Sequence, residues 1–80
     1  MYRIDLERFE IDGVVSTGAV PKFLQVSPDG RRLVVANWCG FDVSVIDTVT
    51  LSEIGRVDLG RHPRGVAITG DSSQAYVTVM

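Results

Sequence analysis

Gly18-Ala19-Val20-Pro21-Lys22 returns further along the chain as Gly60-Arg61-His62-Pro63-Arg64. The same offset holds elsewhere. Ile4-Asp5 comes back as Ile46-Asp47, Gly13 as Gly55, Val15 as Val57, Asp29 as Asp71 and Val35 as Val77. Residues 1–38 align with 43–80, and eight of those 38 pairs are identical. Five of the eight are turn or bend formers and three are apolar strand positions, so backbone geometry is what the copies share. A period of about 42 residues carried on short strands is the spacing of one four-stranded propeller blade. The expected fold is therefore all-β: a propeller segment of about two four-stranded antiparallel blades.

The complete period reads as four strands. Lys22–Ser27 forms the first, and Pro28-Asp29-Gly30 turns the chain: proline presets φ, aspartate caps the backbone and glycine tolerates positive φ. Arg32–Asn37 is the second strand, and Asp42–Asp47, with clear alternation, is the third. Glu53–Leu59 is the fourth, interrupted by Gly55; its recurrence as Gly13 predicts the same bend twice, since glycine inside a strand marks a bulge or a close approach. Upstream, Met1–Asp5 and Ile11–Thr17 match the third and fourth strands. Downstream, Arg64–Thr69 and Gln74–Val79 match the first and second. The expected organisation is thus 1–17 as the end of one blade, 18–59 as a complete blade and 60–80 as the start of the next. Asp5–Glu10 has the look of a capped helical turn, but its counterpart Asp47–Ser52 carries β-branched Thr48, Val49 and Thr50, so a turn is expected in both places.

Composition narrows the function classes. The chain has 80 residues, 45% of them apolar, and a net charge of −2. That is a globular composition with no overall drive toward nucleic acid or anionic membrane. No apolar run approaches the roughly 20 residues of a membrane span, and no signal peptide is visible in this segment. Cys39 is the single cysteine and so forms no internal disulfide. A repeat unit cannot bury its apolar face alone, and about three are usually needed for stability. The expected partners are therefore the remaining blades of the same chain, or identical copies closing head to tail; the absence of either would leave bare strand edges.

The pattern Gly-x-x-Pro, then an apolar strand ending Ser27-Pro28-Asp29-Gly30, then Val34-Val35-Ala36-Asn37 and Val43-Ser44-Val45-Ile46-Asp47 resembles the YVTN-repeat β-propellers, which are WD40-like in architecture. The two copies split the signature: Val34–Asn37 keeps the asparagine, and Tyr76-Val77-Thr78-Val79 keeps the first three letters. The resemblance implies a closed ring of about six to eight blades. It also implies an extracytoplasmic or cell-surface setting of the surface-layer, exported bacterial kind. Related propellers include sugar-lactone hydrolases and haem-binding domains, but fold transmits no activity.

In a propeller the first strand of each blade lines the central channel. One face of the ring then carries Val20, Lys22, Arg61, His62 and Arg64 with Trp38, Cys39 and Phe41, and the opposite face carries Pro28–Gly30 and Thr48–Thr50. Lys22 and Arg64 are equivalent and start innermost strands, so a cationic entrance for an anionic ligand is one expectation; solvated or acid-paired cations are the plainer one. Trp38 and Phe41 either anchor a partner or fold over the neighbouring blade. The candidate ligand-binding residues are accordingly Lys22, Arg61, His62, Arg64, Trp38 and Phe41. No catalytic residue is assigned: Cys39 lacks an activating base, and His62 has no visible second ligand. Asp5, Asp29, Asp47 and Asp71 read as turn caps. No metal or cofactor is expected. The function expected is a non-catalytic binding or scaffolding module of a larger propeller; the alternative is a fragment of a propeller enzyme, such as a lactone hydrolase, with its catalytic residues on other blades.

Overall fold

The computed structural model describes residues 1–80 and contains strands but no helix. In chain order they are β1 (Tyr2–Asp5), β2 (Glu10–Val14), β3 (Pro21–Val26), β4 (Arg32–Asn37), β5 (Asp42–Asp47), β6 (Ser52–Asp58), β7 (Pro63–Ile68) and β8 (Ala75–Val79). They make three antiparallel sheets: β1-β2, the four-stranded β3-β4-β5-β6, and β7-β8. β3 lies at the edge of the central sheet and approaches β7 of the next. The sheets pack face to face through two core clusters.

The two middle strands of the central sheet, β4 and β5, are buried on both faces, while β3 and β6 stay largely exposed. Burial on both faces explains the unbroken apolar run from Leu33 to Ala36. On one face Val35 and Ile46 pack with Val15 of the first sheet, flanked by Met1, Leu33 and Leu51. On the other face Val34, Ala36 and Val43 pack with Val66 of the third sheet, flanked by Leu59, Ile68 and Val77. Alternation along β4 sends odd residues one way and even residues the other. Between the central and third sheets lies an apolar cavity of about 300 Å³, lined by Val34, Val43, Val45, Val57, Leu59, Ala75 and Val77.

The period is visible in the backbone itself. In β2 the register skips Asp12, and in β6 it skips Ile54, one residue before Gly13 and Gly55 respectively. The bend expected at the two glycines is thus a bulge in each. A second pair of bulges skips Lys22 in β3 and Arg64 in β7. Positive φ recurs at Phe9 and Leu51 and again at Gly30 and Ser72.

Turn chemistry repeats likewise. Asp5 Oδ1 accepts from the amides of Glu7 and Arg8, and Asp47 Oδ1 from those of Val49 and Thr50. Asp5–Glu10 is accordingly a turn. In the other pair of turns, Ser27 donates to Asp29 at 2.6 Å and Thr69 to Asp71 at 2.6 Å. The hydroxyls of Thr69 and Ser73, with the Ser73 amide, hold the Asp71 carboxyl from its ordinary 3.8 down to about 2. A lowered folded-state value means stabilisation that is complete above the unfolded value and lost as pH falls through the folded one. Stability is therefore expected to decline from about pH 4 to about pH 2, and less steeply in Asp71→Asn. Urea midpoints measured at pH 7, 4 and 2 check this.

Candidate functional site at the channel lip

Two loop clusters form at opposite ends of the sheets. At one end the Thr48 hydroxyl donates to the Gly30 carbonyl, and the Asp29 amide donates to Ser72 Oγ of the next sheet. At the other end the amides of Trp38 and Gly40 donate to the carbonyls of Val20 and Ala19. This second end gathers five of the six candidate residues.

Trp38 follows β4, and its side chain folds over toward the third sheet. There its ring stacks on His62, with centroids 4.3 Å apart and planes 16° from parallel. Phe41 meets the same imidazole edge-on at 4.7 Å. His62 Nδ1 lies 2.7 Å from the Trp38 carbonyl oxygen. A carbonyl only accepts, so Nδ1 carries the proton, and in the neutral ring the lone pair lies on Nε2. One residue from the third sheet's approach loop is thus clamped by two aromatics from the central sheet.

Lys22 Nζ sits 4.7 Å from the Trp38 ring centroid. A ring stacked at 4.3 Å fills one face of the indole, so the ammonium takes the other. Arg64, one period on, donates from Nη1 to Met80 Sδ at 3.2 Å. Met80 is the period-equivalent of Trp38, so each cation rests on the residue that follows its paired strand. Lys22, Phe23, Trp38, Pro63 and Arg64 line a cavity of about 250 Å³ between β3 and β7. Arg61 is exposed and joins none of these contacts. Cys39 is exposed and free.

Three of the eight cations have carboxylate partners and five, among them Arg8 and Arg31 at the opposite loop end, do not. Arg3, Arg32 and Arg56 form ion pairs with Asp12, Asp47, and Glu53 and Asp42. Lys22, Arg61 and Arg64 pair with no carboxylate of the chain. The four turn aspartates are committed to local hydrogen bonds. No cluster of three or more His, Cys, Asp or Glu is arranged to hold a metal ion.

Beside this lip lies a buried polar knot that strand alternation alone does not reveal. Asn37, fully buried, donates from Nδ2 to Asp42 Oδ1 at 2.8 Å and to Ser44 Oγ at 2.9 Å. The carboxylate dictates which way the amide points, and Asn37 Oδ1 is left buried without a partner. Gly18 covers the knot: a Cβ there would come within 2.5 Å of Asn37 Nδ2 and 2.7 Å of Asp42 Oδ1.

Comparison with solved structures places 95% of the chain on Kuenenia stuttgartiensis hydrazine synthase with a TM-score of 0.89 and 33% identity. The chain is a segment of a β-propeller. Among curated proteins, this propeller segment is similar to antigen Lp49 of Leptospira interrogans, 34% identical over 61 residues. No family model matches it. The propeller segment spans 22% of the hydrazine synthase chain and 13% of the antigen. No helix is long and apolar enough to cross a membrane.

Proposed function

We propose that the segment is a binding module of a YVTN-type propeller, with blades at 1–17, 18–59 and 60–80, completed by further blades of a longer chain or by identical copies. The observation that carries the reading is the lip cluster. Lys22, Trp38 and Phe41 from the central sheet converge with His62 and Arg64 from its neighbour. Side chains from two blades building one cavity at the inner strands are what a propeller uses to hold a ligand at its channel. The carboxylates at this end, by contrast, are spent locally, Asp42 on Asn37 and Arg56 and Asp58 on the Gly60 turn, which supports binding over acid–base chemistry at this face. An antigen and a synthase share this unit, so the unit itself sets neither role.

The competing reading, a lactone hydrolase, is separated by activity. The intact protein is expected to show no bound metal by elemental analysis and no hydrolysis of sugar lactones. Lactone turnover dependent on a bound metal would overturn the binding reading.

A further inference from the structure

We propose that Lys22 and Arg64 jointly bind an oxyanion, a carboxylate or phosphate group, in the cavity between β3 and β7. This rests on the binding reading above and adds the ligand chemistry. Three separate observations converge on these two residues.

The first is backbone geometry. Each is the extra residue of a bulge: the register passes from Pro21↔Asn37 to Phe23↔Ala36, and from Pro63↔Val79 to Gly65↔Thr78. A bulge takes one side chain out of the strand's alternation and re-aims it. Here it does so at two equivalent positions, one period apart, and both re-aimed side chains are cations that line the same cavity.

The second is their partnering. Neither cation has a carboxylate, whereas Arg3, Arg32 and Arg56 do; Arg8, Arg31 and Arg61 are unpaired as well, but they do not line this cavity. Lys22 is held only by the face of Trp38. Arg64 donates to the Met80 thioether, a weak acceptor for a guanidinium with five donors in a fixed fork. An incoming oxyanion replaces that acceptor with charged oxygens in the planar arrangement the fork matches.

The third is preorganisation. Trp38 is fixed by the His62 stack and by the hydrogen bond from His62 to its carbonyl. Phe23 and Pro63 supply apolar walls, which reduce local water and strengthen the attraction to an anion. A cavity of about 250 Å³ falls just below the usual range for drug-sized ligands, so it suits an anionic head and a short stem. The two other cavities of similar size lack this character. The apolar one between the sheets has no polar lining residue. The one beneath the Ser72 turn has a single cation, Arg32, already paired with Asp47.

Trp38 is the one tryptophan of these 80 residues and touches Lys22, so its fluorescence reports occupancy. The protein is titrated with inorganic phosphate, with sodium acetate and with sodium chloride at matched ionic strength. A saturable change with phosphate or acetate and none with chloride is expected, and the anion that saturates identifies the source of the oxygens. Lys22→Gln and Arg64→Gln are each expected to raise the midpoint about tenfold, the size of one lost charge-assisted contact. Arg31→Gln, at the opposite loop end, is expected to leave it unchanged. All three side chains sit on exposed residues, and circular dichroism verifies that the variants fold. Responses no different from chloride, or midpoints indifferent to Lys22→Gln and Arg64→Gln, overturn the proposal. Either result leaves the binding module itself standing, whereas lactone turnover removes that reading independently.

Discussion

Ile46→Ala is expected to lower folding stability by about 3 kcal/mol, within the range for truncating a fully buried aliphatic side chain. Ile46 is 0% exposed and sits between β4 and the first sheet, against Val35 and Val15. The transfer of its methyl and methylene groups supplies part of the cost, and the cavity supplies the rest. Collapse into that cavity is limited because strand pairing on both sides fixes β5: Leu33↔Ile46 in one register and Ile46↔Glu53 in the other. Urea denaturation followed by circular dichroism measures the loss. Ile54→Ala serves as the comparison. Ile54 is the bulged residue of β6 and is half exposed, so its truncation is expected to cost under about 0.5 kcal/mol. Equal effects at the two positions would contradict the layer assignment.

Gly18→Ala is expected to cost about 2 kcal/mol despite adding a single methyl group, the usual size of overpacking against a rigid neighbour. The added carbon falls on Asn37 and Asp42, and neither can retreat without breaking a buried hydrogen bond. Asn37→Ala alone is expected to cost about 1–3 kcal/mol, because Ser44 and Asp42 lose their buried donor. The combination tests the mechanism. With Asn37 shortened, the added methyl group has somewhere to go. The double variant is therefore expected to fall short of the sum of the singles by about 0.5 kcal/mol or more, the scale of coupling between residues in contact. Urea denaturation of all three variants measures it, and strict additivity would show that Gly18 matters for another reason.

Much of this architecture could be read from the chain alone. β4 and β5 were legible to the residue, because turn formers bound them on both sides. Pro21 and Pro63 read as loop, yet they begin β3 and β7; a proline is tolerated at the first strand position, where its missing N–H costs little. Gly13 and Gly55 signalled the bulges of β2 and β6, although the extra residues are their neighbours Asp12 and Ile54. The left-handed backbone at Phe9, Val20, Phe41 and Leu51 left no trace in composition, since none of the four is glycine.

The lip was only partly legible. Period equivalence placed Lys22 and Arg64 together, and blade geometry placed Trp38 on their side. The His62–Trp38 stack joins residues on different sheets, far apart in the chain, so no local pattern encodes it. The same holds for the two bulges that aim the cations, since each depends on pairing with the neighbouring strand. Asn37 was visible as part of a strand signature, but its burial against Asp42 and Ser44 follows only from how the central sheet meets Gly18.

The matching bulges and turns have one more consequence. Because the strand bulges and the aspartate-capped turns recur once per period, a period-length stretch of chain can be duplicated or excised with those features kept. Gene duplication can then lengthen or shorten the ring in whole units, each new unit arriving with its own copy of the lip cation. Selection would tune recognition one sector at a time, without reinventing the scaffold.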